Sequence, residues 1–100
     1  MPAAQFLYLT TTGRASGEPR EIEIWFTQRD GRFYVIAEYE TANWLQNLRV
    51  NPQARWRVGE QTFSGSARLL ESGAVRDAIR ELSRQKYGWG DGLVVELAPE

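Results

Sequence analysis

The sequence predicts a small, mainly β fold of antiparallel hairpins with two short helices, either a barrel or an α+β sheet. Three observations predict it. Arg20 to Gln28 (REIEIWFTQ) places Ile22, Ile24 and Phe26 on one face and Glu21, Glu23 and Trp25 on the other, the period of a strand with one buried face. Arg29-Asp30-Gly31-Arg32 follows, and Asp-Gly between two such runs marks a hairpin turn. Finally, the elements run β, β, β, α, β, β, α, β, which reads as hairpins and not as the βαβ units of a parallel sheet.

The first strand is Phe6 to Thr12 (FLYLTTT), rich in β-branched and aromatic residues. After the Arg20 strand and its turn, Phe33 to Glu38 (FYVIAE) returns. Thr41 to Val50 is read as a helix with Thr41 as N-cap, Trp44, Leu45 and Leu48 on one face, and Asn51-Pro52 ending it. Ala54 to Val58 (ARWRV) puts Ala54, Trp56 and Val58 on one face, with Arg55 and Arg57 opposite on a solvated rim. Gly59-Glu60 turns it into Gln61 to Leu70, where Gly65 suggests a bend or bulge. Ser72-Gly73 opens a second helix, Ala74 to Lys86, with Val75, Ala78, Ile79 and Leu82 at helical spacing. The glycine-rich stretch Tyr87 to Gly92 leads to a final strand, Leu93 to Leu97.

Composition narrows the chemistry. The 100 residues suit one domain spanning 1–100. A formal charge of −1 disfavours nucleic acid and anionic membranes as partners. No apolar run is long enough for an integral membrane segment, and the N-terminus lacks the regions of a signal peptide. The chain has no cysteine and no histidine, which removes thiolate and imidazole catalysis and the metal centres built on them. The lack of cysteine fits a cytoplasmic location. Of the 12 basic residues only Lys86 is lysine, so any anion site is a guanidinium site. No catalytic residue is singled out, and an enzyme of this composition needs a borrowed cofactor.

The loop Thr10-Thr11-Thr12-Gly13-Arg14-Ala15-Ser16-Gly17-Glu18-Pro19-Arg20 is the place to hold one. Gly13 and Gly17 let the backbone turn and present N–H groups, Ser16 and the threonines add hydroxyls, and Arg14 and Arg20 bracket the loop with forks suited to phosphate. A polar surface turn with two solvated arginines is the other reading. Because the loop joins two strands, it is neither a Walker nor a Rossmann site.

This loop, then a strand with Trp25-Phe26, then Asp30-Gly31-x-x-Tyr34-Val35, then Trp44-x-x-Asn47-Leu48-x-x-Asn51-Pro52, resembles the deazaflavin (F420)-dependent nitroreductase family. That family lies within the FMN-binding split β-barrels related to pyridoxamine-phosphate oxidase. The resemblance covers about residues 7–59. It implies a six-stranded antiparallel split β-barrel of the FMN-binding type, usually a homodimer, with F420 or FMN in a cleft at or near the subunit interface. Carried over by position, the cofactor-binding set is Thr12, Gly13, Arg14, Ser16, Gly17 and Arg20 in the loop, of which Arg14, Ser16, Gly17 and Arg20 hold the phosphate. Ala37 and Glu38 lie along the ring or ribityl chain, and Trp44 and Asn47 line the pocket, although Trp44 also fits core packing. Three features depart from the family: Ala15 stands where lysine is usual, the loop between Glu38 and Trp44 is short, and the tyrosine-bearing cover is reduced to Lys86–Gly92. Almost no extension precedes the first strand.

The implied activity is hydride transfer from reduced flavin or deazaflavin to a small electron-poor acceptor such as a quinone, nitro-compound or enone, with Tyr39, Tyr87 or Trp89 near the acceptor. A non-catalytic flavin or phosphate-ligand binding module is the alternative, and a dimerising scaffold with an empty pocket is a third. Trp25, Trp56 and Trp89 are assigned either to a subunit interface or to the barrel interior.

Overall fold

The computed structural model describes residues 6–100, so the segment before the first strand lies outside the described residues. The elements are β1 (Phe6–Thr12), β2 (Pro19–Arg29), β3 (Arg32–Ala37), α1 (Asn43–Val50), β4 (Gln53–Val58), β5 (Gln61–Leu70), α2 (Ala74–Tyr87) and β6 (Leu93–Pro99). The strands form a closed antiparallel barrel in the order β1-β2-β3-β6-β5-β4. The Asp30-Gly31 turn is as expected, with both residues at positive φ (53° and 77°), which matches the twist of the flanking strands.

One feature of the ladder positions the site. Strand β2 pairs with β1 from Pro19 to Trp25, but with β3 only from Phe26 to Arg29. Beyond the Phe26–Val35 pair the two strands separate, and Ile36 and Ala37 pair with β6 alone. This separation is the split in the barrel wall.

The interior follows from strand alternation. Leu7 and Leu9 of β1, Phe33, Val35 and Ala37 of β3, and Val95 and Leu97 of β6 are buried together, with Leu45 and Leu48 of α1 in the same cluster. Burying each leucine contributes roughly 2 kcal/mol. Phe33 lies at the centre of an aromatic group, 4.8 Å from Phe63 and 5.8 Å from Trp56 between ring centroids. Strands β3 and β6 are apolar on both faces because α2 covers their outer side, where Tyr34, Val94 and Ile79 form a second cluster. Beside it, the buried Glu96 is held by the Tyr34 hydroxyl and Arg68, each at 3.2 Å, and by Arg32 at 3.5 Å.

Local expectations are corrected at several points. Thr41 is not the N-cap: Ala42 occupies that position without a side-chain cap, and Gln46 reaches back to the carbonyl of Glu40 in the turn before it. Gly65 is not a bulge, since the β4–β5 register runs unbroken from Gln53–Ser66 to Val58–Gln61. It is a close approach: a Cβ there would lie 1.9 Å from the Ala98 carbonyl oxygen. In α2 the buried residues are Ile79 and Ser83, whereas Val75 and Leu82 are exposed. Polar docking explains that rotation. Ser83 donates to the Trp89 carbonyl at 2.6 Å and Arg80 to the Gly92 carbonyl at 2.8 Å, so α2 is tied to the glycine-rich return by hydrogen bonds. Tyr87 belongs to the helix, which ends at Gly88 in the left-handed conformation (φ 78°).

Candidate functional site

The loop between β1 and β2 is stitched by its own backbone. Gly13 N–H donates to the Glu18 carbonyl at 2.7 Å, Gly17 N–H to the Gly13 carbonyl at 2.8 Å, and Glu18 N–H to Ser16 Oγ at 3.2 Å. The glycine N–H groups therefore shape the loop and do not face a ligand, contrary to the expectation from sequence. The N–H groups of Ala15 and Ser16 are the ones without a partner among the described residues. Gly17 is needed for its positive φ (74°). Gly13 is needed for space: a Cβ would come within 3.0 Å of Ser16 Oγ and 3.2 Å of the Glu18 carbonyl oxygen.

Arg14 lies against the start of α1. Its Nη1 donates to Asn47 Oδ1 at 2.8 Å and to the Asn43 carbonyl at 3.3 Å, and its backbone N–H reaches Asn47 Oδ1 at 3.2 Å. Nη2 contacts Asn43 Oδ1 at 3.4 Å, while Nε has no partner among the described residues. Arg20 is exposed, and among the described residues its side chain has only a 3.9 Å ion pair, to Glu18. Together Arg14, Ser16 and Arg20 border a cavity of 710 Å³ whose far wall is Asn43, Trp44 and Asn47. Two guanidinium groups, a hydroxyl and two free amides are a donor set that fits a phosphate.

A second cavity, of 680 Å³, opens in the split between β2 and β3. Ile22, Ile24, Ile36, Trp25, Tyr87 and Trp89 are among its walls, and Ile22 and Trp44 also line the first cavity. The two cavities are thus neighbours with a common wall, one bordered by the loop arginines and the other by aromatic rings, each within the size range of small-molecule sites. Trp25 and Tyr87 stack at 4.6 Å with their planes 3° apart. The Tyr87 hydroxyl donates to the Phe26 carbonyl at 2.8 Å, which fixes the pair at the point where β2 changes partners.

Charge is divided between the two cavities. The ionic residues of the aromatic one are Glu23 and Glu38. Glu23 serves Tyr8, whose phenol is held above its ordinary pKa first by its hydrogen bond to Glu23 and then by the negative charge there. Glu38 makes no hydrogen bond or ion pair among the described residues, so it stands as a lone carboxylate in the cleft.

Most of the expected site residues meet here: Gly13, Arg14, Ser16, Arg20, Trp44 and Asn47 around the first cavity, Glu38, Tyr39, Tyr87 and Trp89 around the second. Trp44 fulfils both of its readings, packing against the core cluster and forming the shared wall. Ala37 lines neither cavity; strand alternation turns it into the barrel core, where it is 1% exposed. Thr12 is also outside both walls and serves as the last β1 residue of the ladder, opposite Pro19. Gly17 lies in the loop but is absent from the cavity wall. Trp56 is in the core at 1% exposure, whereas Trp25 is 41% exposed. Sequence reasoning missed Asn43, Ile22 and Ile24 as site residues. Asn43 could have been found from its i, i+4 spacing with Asn47, which puts two amides on one helix face.

The model of the F420H2-dependent quinone reductase family matches residues 1–89. Among solved structures, the chain is similar to an F420H2-dependent reductase, FDR-A, at 21% identity and a TM-score of 0.80, covering 93% of each chain. It is also similar to HutZ, the heme storage protein of Vibrio cholerae, at 22% identity and a TM-score of 0.81, covering 97% of this chain and 82% of that one. A third is a putative pyridoxamine 5′-phosphate oxidase of Listeria innocua, at 19% identity and a TM-score of 0.73, covering 96% and 84%. Likeness at these identities establishes the split-barrel fold alone. The family match goes further: by this span, the chain belongs to the F420H2-dependent quinone reductase family.

Proposed function

We propose that this protein is an F420H2-dependent reductase, a single domain over residues 1–100, that passes a hydride to a planar, electron-poor, uncharged acceptor of the quinone type. The observation that carries this reading is the adjacency of two cavities, one bordered by guanidinium donors and the other an apolar aromatic cleft, with Ile22 and Trp44 lining both. Reduced F420, when bound, supplies the hydride, so a chain without cysteine or histidine needs no nucleophile or imidazole of its own.

The chain's contribution is placement. Arg14, Arg20, Ser16 and the free amides of Ala15 and Ser16 grip the phosphate, with Gly13 and Gly17 setting the loop's shape. Trp44 and Ile22 carry the ribityl segment, and Glu38 stands beside the ring. The Trp25–Tyr87 pair offers a flat wall for an acceptor and keeps water from the reacting face. An acceptor carrying negative charge meets the exposed Glu38 carboxylate, which has no cationic partner among the described residues, and this favours neutral quinones over anionic ones. A homodimer through the rim of the cleft is supported by the exposure of Phe6 (39%) and Trp25 (41%) there. A cytoplasmic location suits a cysteine-free chain.

The test is turnover of purified protein with F420H2 and, separately, reduced FMN, using menadione as acceptor. Turnover with F420H2 at least tenfold above FMN supports the proposal. Tight binding of F420 without turnover replaces it with the binding-module reading, and binding of neither cofactor refutes it.

A further inference from the structure

Two buried residues, one on β1 and one on α1, bear on the loop's grip. Thr11 is 1% exposed and lies on the inward face of β1, in line with Leu7 and Leu9. Its hydroxyl accepts from Asn47 Nδ2 at 3.2 Å. Asn47, 4% exposed on the packed face of α1, uses its other end for Arg14: Oδ1 accepts both the guanidinium Nη1 at 2.8 Å and the backbone N–H at 3.2 Å. The amide cannot be reversed, because its NH2 group would then oppose two donors. A strand, a helix and the loop are thereby joined through one side chain whose orientation is set at both ends.

We infer that Thr11 and Asn47 are positioning residues that set the affinity for the cofactor's phosphate by holding Arg14. An exposed arginine loses rotamer freedom when it grips a ligand, and a brace made in advance removes that loss from the binding step. The brace takes Nη1 and, through the 3.4 Å bond to Asn43 Oδ1, one hydrogen of Nη2, leaving Nε and the second Nη2 hydrogen for the two oxygens of a phosphate. Thr11 is the outer end of this arrangement. Valine has nearly the same shape and would suit the buried position, so the hydroxyl is present for Asn47. The inference rests on the phosphate reading of the Arg14 loop.

The experiment uses the full chain and two probes: F420, and its phosphate-free core, the 8-hydroxy-5-deazaflavin bearing only the ribityl chain. Dissociation constants are measured by fluorescence titration for wild type, Thr11→Val, Thr11→Ser, Asn47→Ala, Arg14→Ala, and Thr11→Val combined with Arg14→Ala, with melting midpoints in parallel. Thr11→Val and Asn47→Ala are expected to weaken F420 about five- to tenfold while leaving the core probe within about twofold. Thr11→Ser restores the affinity, and Thr11→Val has no further effect once Arg14 is alanine. An equal loss for both probes would show a merely structural role and overturn the inference, as would unchanged F420 affinity in Thr11→Val. If wild type binds F420 no better than the core, the phosphate reading itself fails, and the positioning role falls with it.

Discussion

Replacing Arg14 by alanine tests the loop directly, and the structure sets the size of the effect. With one Nη2 hydrogen on Asn43 Oδ1 at 3.4 Å, the side chain keeps Nε and the second Nη2 hydrogen for two charge-assisted hydrogen bonds to a phosphate. Such bonds contribute about 1.5–3 kcal/mol each, and the exposed position of Arg14 argues for the lower figure. Their joint loss is roughly 3 kcal/mol, or about a hundredfold in the dissociation constant of F420. The fold should lose far less. Asn47 Oδ1 keeps the backbone N–H of residue 14 at 3.2 Å, so no buried acceptor is orphaned, and stability falls by about 1 kcal/mol. Arg14→Lys retains the charge without the fork and cannot bridge Asn43 and Asn47 together, placing it near a tenfold loss. Fluorescence titration with F420, beside a urea melt of each variant, reads both quantities. A loss of affinity under about threefold in Arg14→Ala, with the melt unchanged, would refute the loop as the phosphate cradle.

The same reasoning extends to the rest of the barrel. Glu38→Lys should raise kcat/KM for a sulfonated naphthoquinone relative to menadione by about tenfold at low salt, shrinking as ionic strength rises; an unmoved ratio would remove Glu38 from the acceptor's surroundings. Gly65→Ala forces a methyl against the Ala98 carbonyl and should destabilise the fold by about 2–3 kcal/mol in urea, more than Gly59→Ala, where only the positive φ of 60° is strained. Tyr34 predicts the alkaline limb of stability. Burial first, then the charge of Glu96, holds its phenol above the ordinary 10.0. A raised folded value means the contribution is whole below pH 10 and is lost as pH climbs through the folded value. Tyr34→Phe should therefore be less stable than wild type at neutral pH, with the gap closing above pH 10; a gap that stays constant in melts across that range would contradict this.

What could be read in the sequence was whatever depends on near neighbours. The alternation in β2, the Asp30-Gly31 turn and the element order follow from local rules, and each matches the structure. The Gly13–Arg20 loop was visible as chemistry, but its internal hydrogen bonds were not: only the folded loop shows that the glycine amides are consumed and those of Ala15 and Ser16 are left. Helix α2 misled because its apolar spacing through Val75 and Leu82 does not mark its docking face. The face is set by Arg80 and Ser83 reaching backbone carbonyls of a segment no local rule places there. Ala37 was assigned to the site with Glu38, although adjacent strand residues point to opposite sides. Several residues of the second cavity came from the resemblance, but its place between β2 and β3 could not be read locally, because it exists where two strands part, and parting depends on register.

Strand β6 also governs how the chain must be made. It lies between β3 and β5, pairing Val35 with Val95 on one side and Leu69 with Val95 on the other. It is the last of the six strands to leave the ribosome. Until it does, the nascent sheet has two open edges, and one of them, β3, is apolar on both faces. The hairpins β2–β3 and β4–β5 can form early because their partners are adjacent in sequence, but closure waits for a long-range pairing, the slow kind. A chain cut before Leu93 is therefore not a smaller barrel. It is an open sheet with two edges ready to pair with another copy, which makes the interval before β6 arrives the time of greatest exposure to aggregation.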